Sequence, residues 1–438
     1  MTHKAGAGPL NTAALARVEG EGGMHVEVVD GKVENVQLQI YEPPRFYEGF
    51  LRGRAHTEPP DITARICGIC PVAYQMSACL AIEDACGVTV TPDITELRRL
   101  LYCGEWIESH ALHIHLLHAP DFFGVDSAID LAALDRPAVE RGLALQRIGN
   151  DILELVGGRA IHPVNVKVGG FYRPPTIADL QAFRPRIEQA VELAEEVVAW
   201  VATLDCPEMT TEHELVALSD GDNYPLLGER IISNRGLDID VSQFLDHFEE
   251  YQVEHSTAKH AHHLSRGNYL VGPLARFSLA REKLGPIATT AADAAGLGAT
   301  CTNPFQSIVV RAVEMLHACE EALRIIDNYV RPEPGSIAVP PRPGTGHGAT
   351  EAPRGLLYHR YSLDEQGLIL DAEIIPPTSQ NQPTIEHDLF HFVEDNLSMP
   401  DEELRRAAEV TIRNHDPCIS CATHFLDLTV ERRSGVNR

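Results

Sequence analysis

Arg65-Ile66-Cys67-Gly68-Ile69-Cys70-Pro71 and Asp416-Pro417-Cys418-Ile419-Ser420-Cys421-Ala422-Thr423-His424 each carry a Cys-x-x-Cys pair, one near either end of a 438-residue chain. Thiolates are soft ligands that suit zinc, iron–sulfur clusters, copper(I) or nickel. Four of them concentrate negative charge that a metal offsets, so the two pairs are expected to meet at one site. A structural zinc site of four cysteines is the plain alternative. Zinc ribbons keep their pairs about 15–20 residues apart, whereas Cys67 and Cys418 lie 351 positions apart. Spacing alone leaves zinc and a catalytic metal equally open.

The remaining cysteines (Cys79, Cys86, Cys103, Cys206, Cys301 and Cys319) stand singly in apolar or helical surroundings. There a cysteine behaves as a small hydrophobe. The chain has 36 basic against 63 acidic residues, a formal charge of -27, which argues against a nucleic-acid or anionic-membrane surface. No signal peptide opens it, and no apolar run approaches the roughly 20 residues of a membrane span. A cytoplasmic protein is expected, with enough apolar content (44%) for a substantial core.

Residues 24–29 and 32–40 alternate around Asp30-Gly31, a hairpin signal. Residues 61–87 read as a turn into a helix, with Pro71 at its start and Gly87 at its stop. Asp93-x-x-Glu96 resembles a capping box opening a helix to about residue 118. Helical patterns continue over about 137–156, 176–204, 238–265, 305–330 and 401–414. The stretch 332–353 is rich in Pro and Gly and is expected to be an irregular functional loop. Strands over 357–362 and 368–375 are expected to join the N-terminal hairpin in one sheet. The fold class that follows is α+β, predominantly α: a central bundle of long helices with a small β-sheet formed by the N- and C-terminal segments.

The flanks of the cysteine pairs add what spacing does not. Both segments, in this order and at these ends of the chain, resemble the two signatures of nickel–iron (NiFe) hydrogenase large subunits. The resemblance implies Cys67 and Cys418 as terminal nickel ligands, with Cys70 and Cys421 bridging nickel to an iron that carries CO and cyanide. Arg17-Val18-Glu19-Gly20 resembles the family element whose glutamate, here Glu19, relays protons. Phe46-Tyr47-Glu48-Gly49-Phe50 resembles a segment whose glutamate, Glu48, binds Mg2+ together with the histidine matching His424. Glu351-Ala352-Pro353-Arg354-Gly355 resembles the element whose arginine, Arg354, overhangs the metals with Pro353 beside it. Ile375-Pro376-Pro377-Thr378 resembles the stretch that hydrogen-bonds a cyanide, through Pro377 and Thr378. His118-Ala119-Pro120-Asp121 resembles the segment whose aspartate, Asp121, pairs with that arginine.

The activity implied is reversible heterolytic cleavage of H2. The proton acceptor is the Cys418 or Cys421 sulfur, or Arg354 through its pairing with Asp121, and Glu19 then carries the proton outward. No second cysteine cluster and no G-x-G-x-x-G after a strand is present, so a partner must carry the electrons. In this family that partner is a small subunit with iron–sulfur clusters. Flavin- or NAD(P)-binding and ferredoxin-like subunits, a maturation protease and a nickel chaperone are further expected partners. Tyr74-Gln75 replaces the histidine usual four residues after the second cysteine, and Cys-Gly-Ile-Cys-Pro-Val-Ala-Tyr-Gln resembles the cytoplasmic NAD(P)-linked, sulfhydrogenase-like branch. Residues 1–424 are expected to form one interlocked domain. Residues 425–438 are expected to be a maturation peptide removed after His424.

Two other functions compete with this one. A non-catalytic scaffold of the respiratory-complex-I kind typically loses the cysteine pairs, and a zinc-stabilised interaction protein needs only the four thiolates. Taken singly, Glu19, Arg354 and Asp121 would be ordinary surface, loop and turn residues. The histidines at 110, 113, 115 and 118 are expected to pack and hydrogen-bond rather than ligate, since 115 leaves the face shared by 110 and 113. His387-Asp388-Leu389-Phe390-His391 lacks the glutamate a zinc peptidase needs after its first histidine, so the pair is expected to be structural.

Overall fold

The computed structural model describes residues 10–424. Strands β1 (Leu10–Thr12), β2 (Gly22–Val29) and β3 (Lys32–Ile40) form an antiparallel meander. Asp30 and Gly31, both at positive φ (51° and 76°), make its tight turn as expected. Helices α1 (Pro71–Cys86), α2 (Pro92–Leu112), α3 (Arg136–Gly157), α4 (Ile177–Val201) and α5 (Ser307–Asp327) build the central bundle. Strands β4 (Gly344–Ala352), β5 (Gly355–Leu363) and β6 (Ile369–Ile375) then form a second meander. It is followed by α6 (Pro377–Asp395), α7 (Asp401–Asn414) and the one-turn α8 (Ile419–Ala422).

The fold is α+β with a helical core, as expected. The expected single sheet of N- and C-terminal strands is corrected: β1–β3 and β4–β6 are separate sheets. They bury their faces against different partners. Met24, Val26 and Leu38 pack on Ile385, Leu389, Leu404 and Ile412 of α6 and α7, whereas β4 and β5 lie on α1. The apolar alternation that predicted each strand carries no information about which surface it meets.

Helix α1 is buried on nearly every side. Its start carries Pro71 and its end is closed by Gly87 at φ 65°, both as expected. The capping box expected at Asp93 is not formed. Helix α2 opens at Thr91-Pro92, and Glu96 instead accepts a hydrogen bond from Arg324 (2.7 Å). Past Leu112 the helix continues through one π-helical turn, His113–His118. His110 stands 3.2 Å from Glu314, His113 donates to the Arg413 carbonyl (3.0 Å), His115 stacks on Trp200 and His118 packs on Phe122. None of the four joins a metal-sized cluster among the described residues.

Two further expectations need correction, and one helix had not been read from the sequence. The helix expected over 238–265 is instead strand Asp238–Asp240, a four-residue helix Phe244–His247, and paired strands Phe248–Tyr251 and His260–His263. Aromatic and β-branched residues there favour strands once a partner is present, and the Asp240 carboxylate turns the chain by accepting from Ser242 N–H. The loop expected to run to residue 353 ends at Gly344, where β4 begins. Helix α6 was hidden by Pro377 and Pro383 and by its polar start. Its buried Gln380 and Asn381 are satisfied by the Leu356 carbonyl and by both backbone groups of Val271, which no local pattern reveals.

Glycine spacing in β4 sets how closely the sheet approaches α1. A Cβ on Gly346 would lie 2.1 Å from the Ala81 carbonyl oxygen and 2.2 Å from Ala85 N. Backbone atoms cannot yield as a flexible side chain can. Gly346→Val is therefore expected to cost about 1–3 kcal/mol or more of stability, read as a lower midpoint in chemical denaturation. An unchanged midpoint would mean that α1 and β4 do not touch there.

Candidate metal centre

Two short turns bring the cysteines together. A 3-10 turn over Ala64–Ile66 delivers Cys67 in an extended conformation, and Cys70 sits just before Pro71 at the start of α1. The first free N–H groups of α1, from Val72 and Ala73, donate to the buried carboxylate of Glu105 (2.6 and 3.1 Å). The Cys70 side chain is thereby spared a capping role. Cys418 precedes α8 and Cys421 lies on it.

All four cysteines are buried, and their sulfurs lie within 4.8 Å of one another. Cys67 Sγ is 3.5 Å from Cys418 Sγ, Cys70 Sγ is 3.5 Å from Cys421 Sγ, and Cys418 and Cys421 are 2.8 Å apart. Hydrogen bonds from Cys418, Cys421 and Cys70, with help from the Arg354 charge, hold the Cys67 thiol well below its ordinary pKa. Burial, then hydrogen bonds with Cys421, Cys67 and Cys70, pushes the Cys418 thiol well above. Full ionisation of the set is costly for the protein alone, and a divalent cation held by the four sulfurs would supply the counter-charge.

Arg354 is buried beside this cluster. Its Nε donates to the Asp416 carbonyl (2.9 Å) and its Nη2 to Asp416 Oδ1 (3.1 Å). Its Nη1 is buried with no protein acceptor, a donor that fits a small acceptor bound at the centre. Pro353, next to it, is fixed through its carbonyl by the buried guanidinium of Arg276 (2.9 Å), which also pairs with Glu314 and Glu351.

The expected Arg354–Asp121 pair is not formed. Asp121 lies beyond the π-helical turn, held by Arg17 (2.5 Å) and by both prongs of Arg413 (2.8 and 2.9 Å). Asp416, at φ 51° and the first residue of the second signature, has taken its place beside Arg354. Asp121 therefore anchors the end of α7 and the Arg17 segment rather than the arginine at the metals.

Glu19 Oε2 accepts from Cys418 Sγ (3.1 Å) and from Ser420 N–H (3.0 Å). Gly20 follows at φ 90°, and a Cβ there would meet Ile419 Cβ at 2.6 Å, so only glycine lets the two segments close. Ser420 Oγ donates onward to Glu42 (3.3 Å), a residue with no signature of its own. Arg45, equally unmarked, ties the two cysteine segments by donating to the carbonyls of Ile66 (2.6 Å) and Ser420.

Thr378 Oγ1 accepts from Cys418 N–H (3.0 Å), leaving its own proton to donate, and Pro377 starts α6 one residue earlier. Tyr74, in place of the usual histidine, packs its ring on His359, which arrives from β5 at 5.7 Å between centroids. Burial, then the charge of Cys421, holds the Tyr74 phenol well above its ordinary pKa.

Glu48 and His424 meet as expected. Glu48 Oε1 accepts from Ile374 N–H (2.9 Å) and lies 3.7 Å from His424 Nε2, which itself donates to the Ile374 carbonyl (2.5 Å). His424 Nδ1 donates to the Cys421 carbonyl (2.6 Å). Burial pulls the imidazole pKa down, but Glu48 outweighs it and the ring is held above its ordinary value. One carboxylate, one carbonyl and, after loss of the Nε2 proton, one ring nitrogen would suit a hard cation such as Mg2+.

The nickel-dependent hydrogenase family profile matches residues 45–138 and 271–424. Sulfhydrogenase 1 subunit alpha of Pyrococcus furiosus is 33% identical over 427 residues, 96% of this chain and 99% of that protein. The NAD-reducing hydrogenase HoxS subunit beta of Cupriavidus necator is 29% identical, covering 94% of each. A crystal structure of an NAD+-reducing nickel–iron hydrogenase in the H2-reduced state superposes with a TM-score of 0.86 at 27% identity, covering 95% of this chain and 99% of that one.

Metal analysis follows directly from the sulfur geometry. The purified holoprotein is expected to hold about one nickel and one iron, and Cys67→Ser to lose nearly all the nickel, because binding requires the full thiolate set. Zinc as the sole metal in the wild-type protein would overturn the assignment.

Proposed function

The chain belongs to the nickel-dependent hydrogenase family and is an oxidoreductase acting on H2; we propose that it delivers electrons to NAD(P) through partner subunits and protons to solvent through Glu19. The observation that carries the proton half is the 3.1 Å contact between Cys418 Sγ and Glu19 Oε2. Nickel and iron, when bound, supply the Lewis-acidic pair at which H2 is polarised for heterolytic cleavage. Cys67, Cys70, Cys418 and Cys421 would hold that pair, and CO and cyanide would complete the iron. Arg354 Nη1 and the Thr378 hydroxyl are the donors such small acceptors would meet.

Among the candidate bases, Cys418 is favoured. Although burial lowers it, Asp416 and the neighbouring sulfurs hold the Arg354 guanidinium well above its ordinary pKa, so it keeps its proton. Cys418 Sγ instead stands in contact with a carboxylate able to take the proton onward. Glu19 passes it towards Ser420 Oγ and Glu42, both half-buried. Glu48, His424 and the Ile374 carbonyl would hold Mg2+ and thereby fix the end of the second signature.

Electrons require a neighbour. Among the described residues the four site cysteines are the only cysteine group close enough to bind a metal. An iron–sulfur small subunit would take the electrons first, with flavin- or NAD(P)-binding and ferredoxin-like subunits beyond it. The relatives named as subunits of sulfhydrogenase and NAD-reducing hydrogenase support this assembly. No described helix is long and apolar enough to cross a membrane, which accords with the proposed cytoplasmic site.

Residues 1–424 would act as one domain. The expected maturation peptide, 425–438, lies outside the described residues. We propose that a maturation protease cuts between His424 and Phe425 after a chaperone has delivered nickel. Intact-mass measurement of the active enzyme should show a chain ending at His424; a retained tail in fully active enzyme would refute the cut.

Glu19→Gln tests the proton route, since it keeps the shape and removes the exchangeable carboxyl. H2 turnover is expected to fall about 10²–10⁴-fold, with nickel, iron and the CO and cyanide infrared bands retained. Near-normal turnover would remove Glu19 from the pathway.

A further inference from the structure

An open cavity of about 630 Å³ lies between α6 and the segment 207–212, and the hydrogenase reaction makes no use of it. His387, His391 and Asp395 line it from α6 at positions i, i+4 and i+8, so successive turns present them to the same side. Glu208 and Glu212 line the opposite wall. Asp388 lies at the back, and no lysine or arginine lines the cavity among the described residues. Four carboxylates and two imidazoles thus face one solvent-connected space.

The two imidazoles are already arranged around a point. His387 Nε2 and His391 Nε2 are 3.1 Å apart, with ring centroids 4.4 Å apart and planes inclined at 64°. Two nitrogens bound to one tetrahedral zinc at 2.0–2.1 Å stand about 3.3 Å from each other. The spacing therefore needs only a slight opening to admit an ion. The His387 side chain is 47% exposed, so an ion can reach it from solvent.

A carboxylate stands behind the first ligand. Asp388 is fully buried and fixed by hydrogen bonds from His213 Nε2 (2.5 Å) and His415 Nε2 (3.0 Å). Its Oδ1 lies 3.7 Å from His387 Nδ1. That placement favours the proton on Nδ1 and turns the Nε2 lone pair of His387 towards His391 and the cavity, the arrangement by which a carboxylate orients a metal-binding histidine. Without metal, His391 can donate its Nε2 proton to that lone pair. With metal, His391 needs only to move this proton to its own Nδ1, so no net proton is lost.

We propose that this cavity is a second metal site, separate from the four-cysteine centre, that takes a divalent first-row ion of the Zn2+ class. His387 and His391 would bind through Nε2, water from the cavity would fill the remaining positions, and Asp388 would position His387. Imidazole donors suit such ions better than Mg2+ or Ca2+. The Asp388 that excludes a peptidase reading, one residue after the first histidine, acts here from behind the ligand instead of as a base.

The test is Zn2+ titration of the nickel–iron-loaded complex, freed of loosely bound metal by chelator and followed by competition with a chromophoric chelator. The wild-type protein should take up one further equivalent of Zn2+, competed by Ni2+ and unaffected by excess Mg2+. His391→Ala, at an exposed position, should weaken that binding about 100-fold or more. H2 turnover and the tightly held nickel and iron should be unchanged in that variant. Absence of the extra equivalent in the wild type, or its retention at full affinity in His391→Ala, overturns the proposal.

Discussion

The C-terminal segment 416–424 is held in place by the first fifty residues of the chain, and the metal centre depends on that clamp. The Glu19 carbonyl accepts from Ile419 N–H, Arg45 N–H donates to the Thr423 carbonyl, and Tyr47 N–H donates to the His424 carbonyl. Side chains of Glu19, Arg45 and Glu48 reinforce these backbone bonds. Cys418 and Cys421 therefore reach Cys67 and Cys70 only when both ends of the chain have met. Hydrogen bonds in such a dry place are worth most when the set is complete, and a partial set leaves buried groups unpaired.

The helical core makes this dryness possible, and buried ion pairs make it tolerable. Arg276 lies between Glu314 and Glu351, Arg98 meets Glu83, and Arg354 meets Asp416, all essentially out of solvent. Buried pairs of this kind contribute little net stability over apolar replacements. Their value here is positional. Arg276 grips the carbonyls of Ala352 and Pro353, which fixes the backbone from which Arg354 reaches over the sulfurs.

Low dielectric also sorts the chemistry. Burial raises the pKa of Glu105 and Glu108 well above that of an ordinary carboxyl, limiting negative charge near the thiols. Glu19 stays partly solvated, at the boundary between the sulfur pocket and the polar edge near Glu42. On the proposed route a proton leaving Cys418 would move from a site where charge is costly to one where water can share it. The proposed route for electrons runs instead through partner subunits.

Much of the centre was legible because its residues lie in short local motifs. The two Cys-x-x-Cys segments, Glu19 before Gly20, Glu48, Arg354 and His424 were recognised through the resemblance of their short flanking motifs to a known family, and the long helices followed from period and end signals. Asp121 misled because a sequence records that an aspartate is present but not which arginine it will face. Glu42, Arg45, Glu105 and Arg276 had no local signature at all, and Asp416, inside the second signature, gave no sign that it would face Arg354. Their roles come from contacts across as many as 378 positions of chain.

The same division runs through the fold. Local alternation and helix punctuation determined which stretches could be strands or helices, since these depend on neighbours a few residues away. Tertiary structure alone decided that the two meanders stay apart, that α6 can hold two prolines and a polar start, and that His387 and His391 open onto a cavity. Each of those outcomes depends on which distant surface satisfies a buried polar group or covers an apolar face, and that is settled only when the chain has packed.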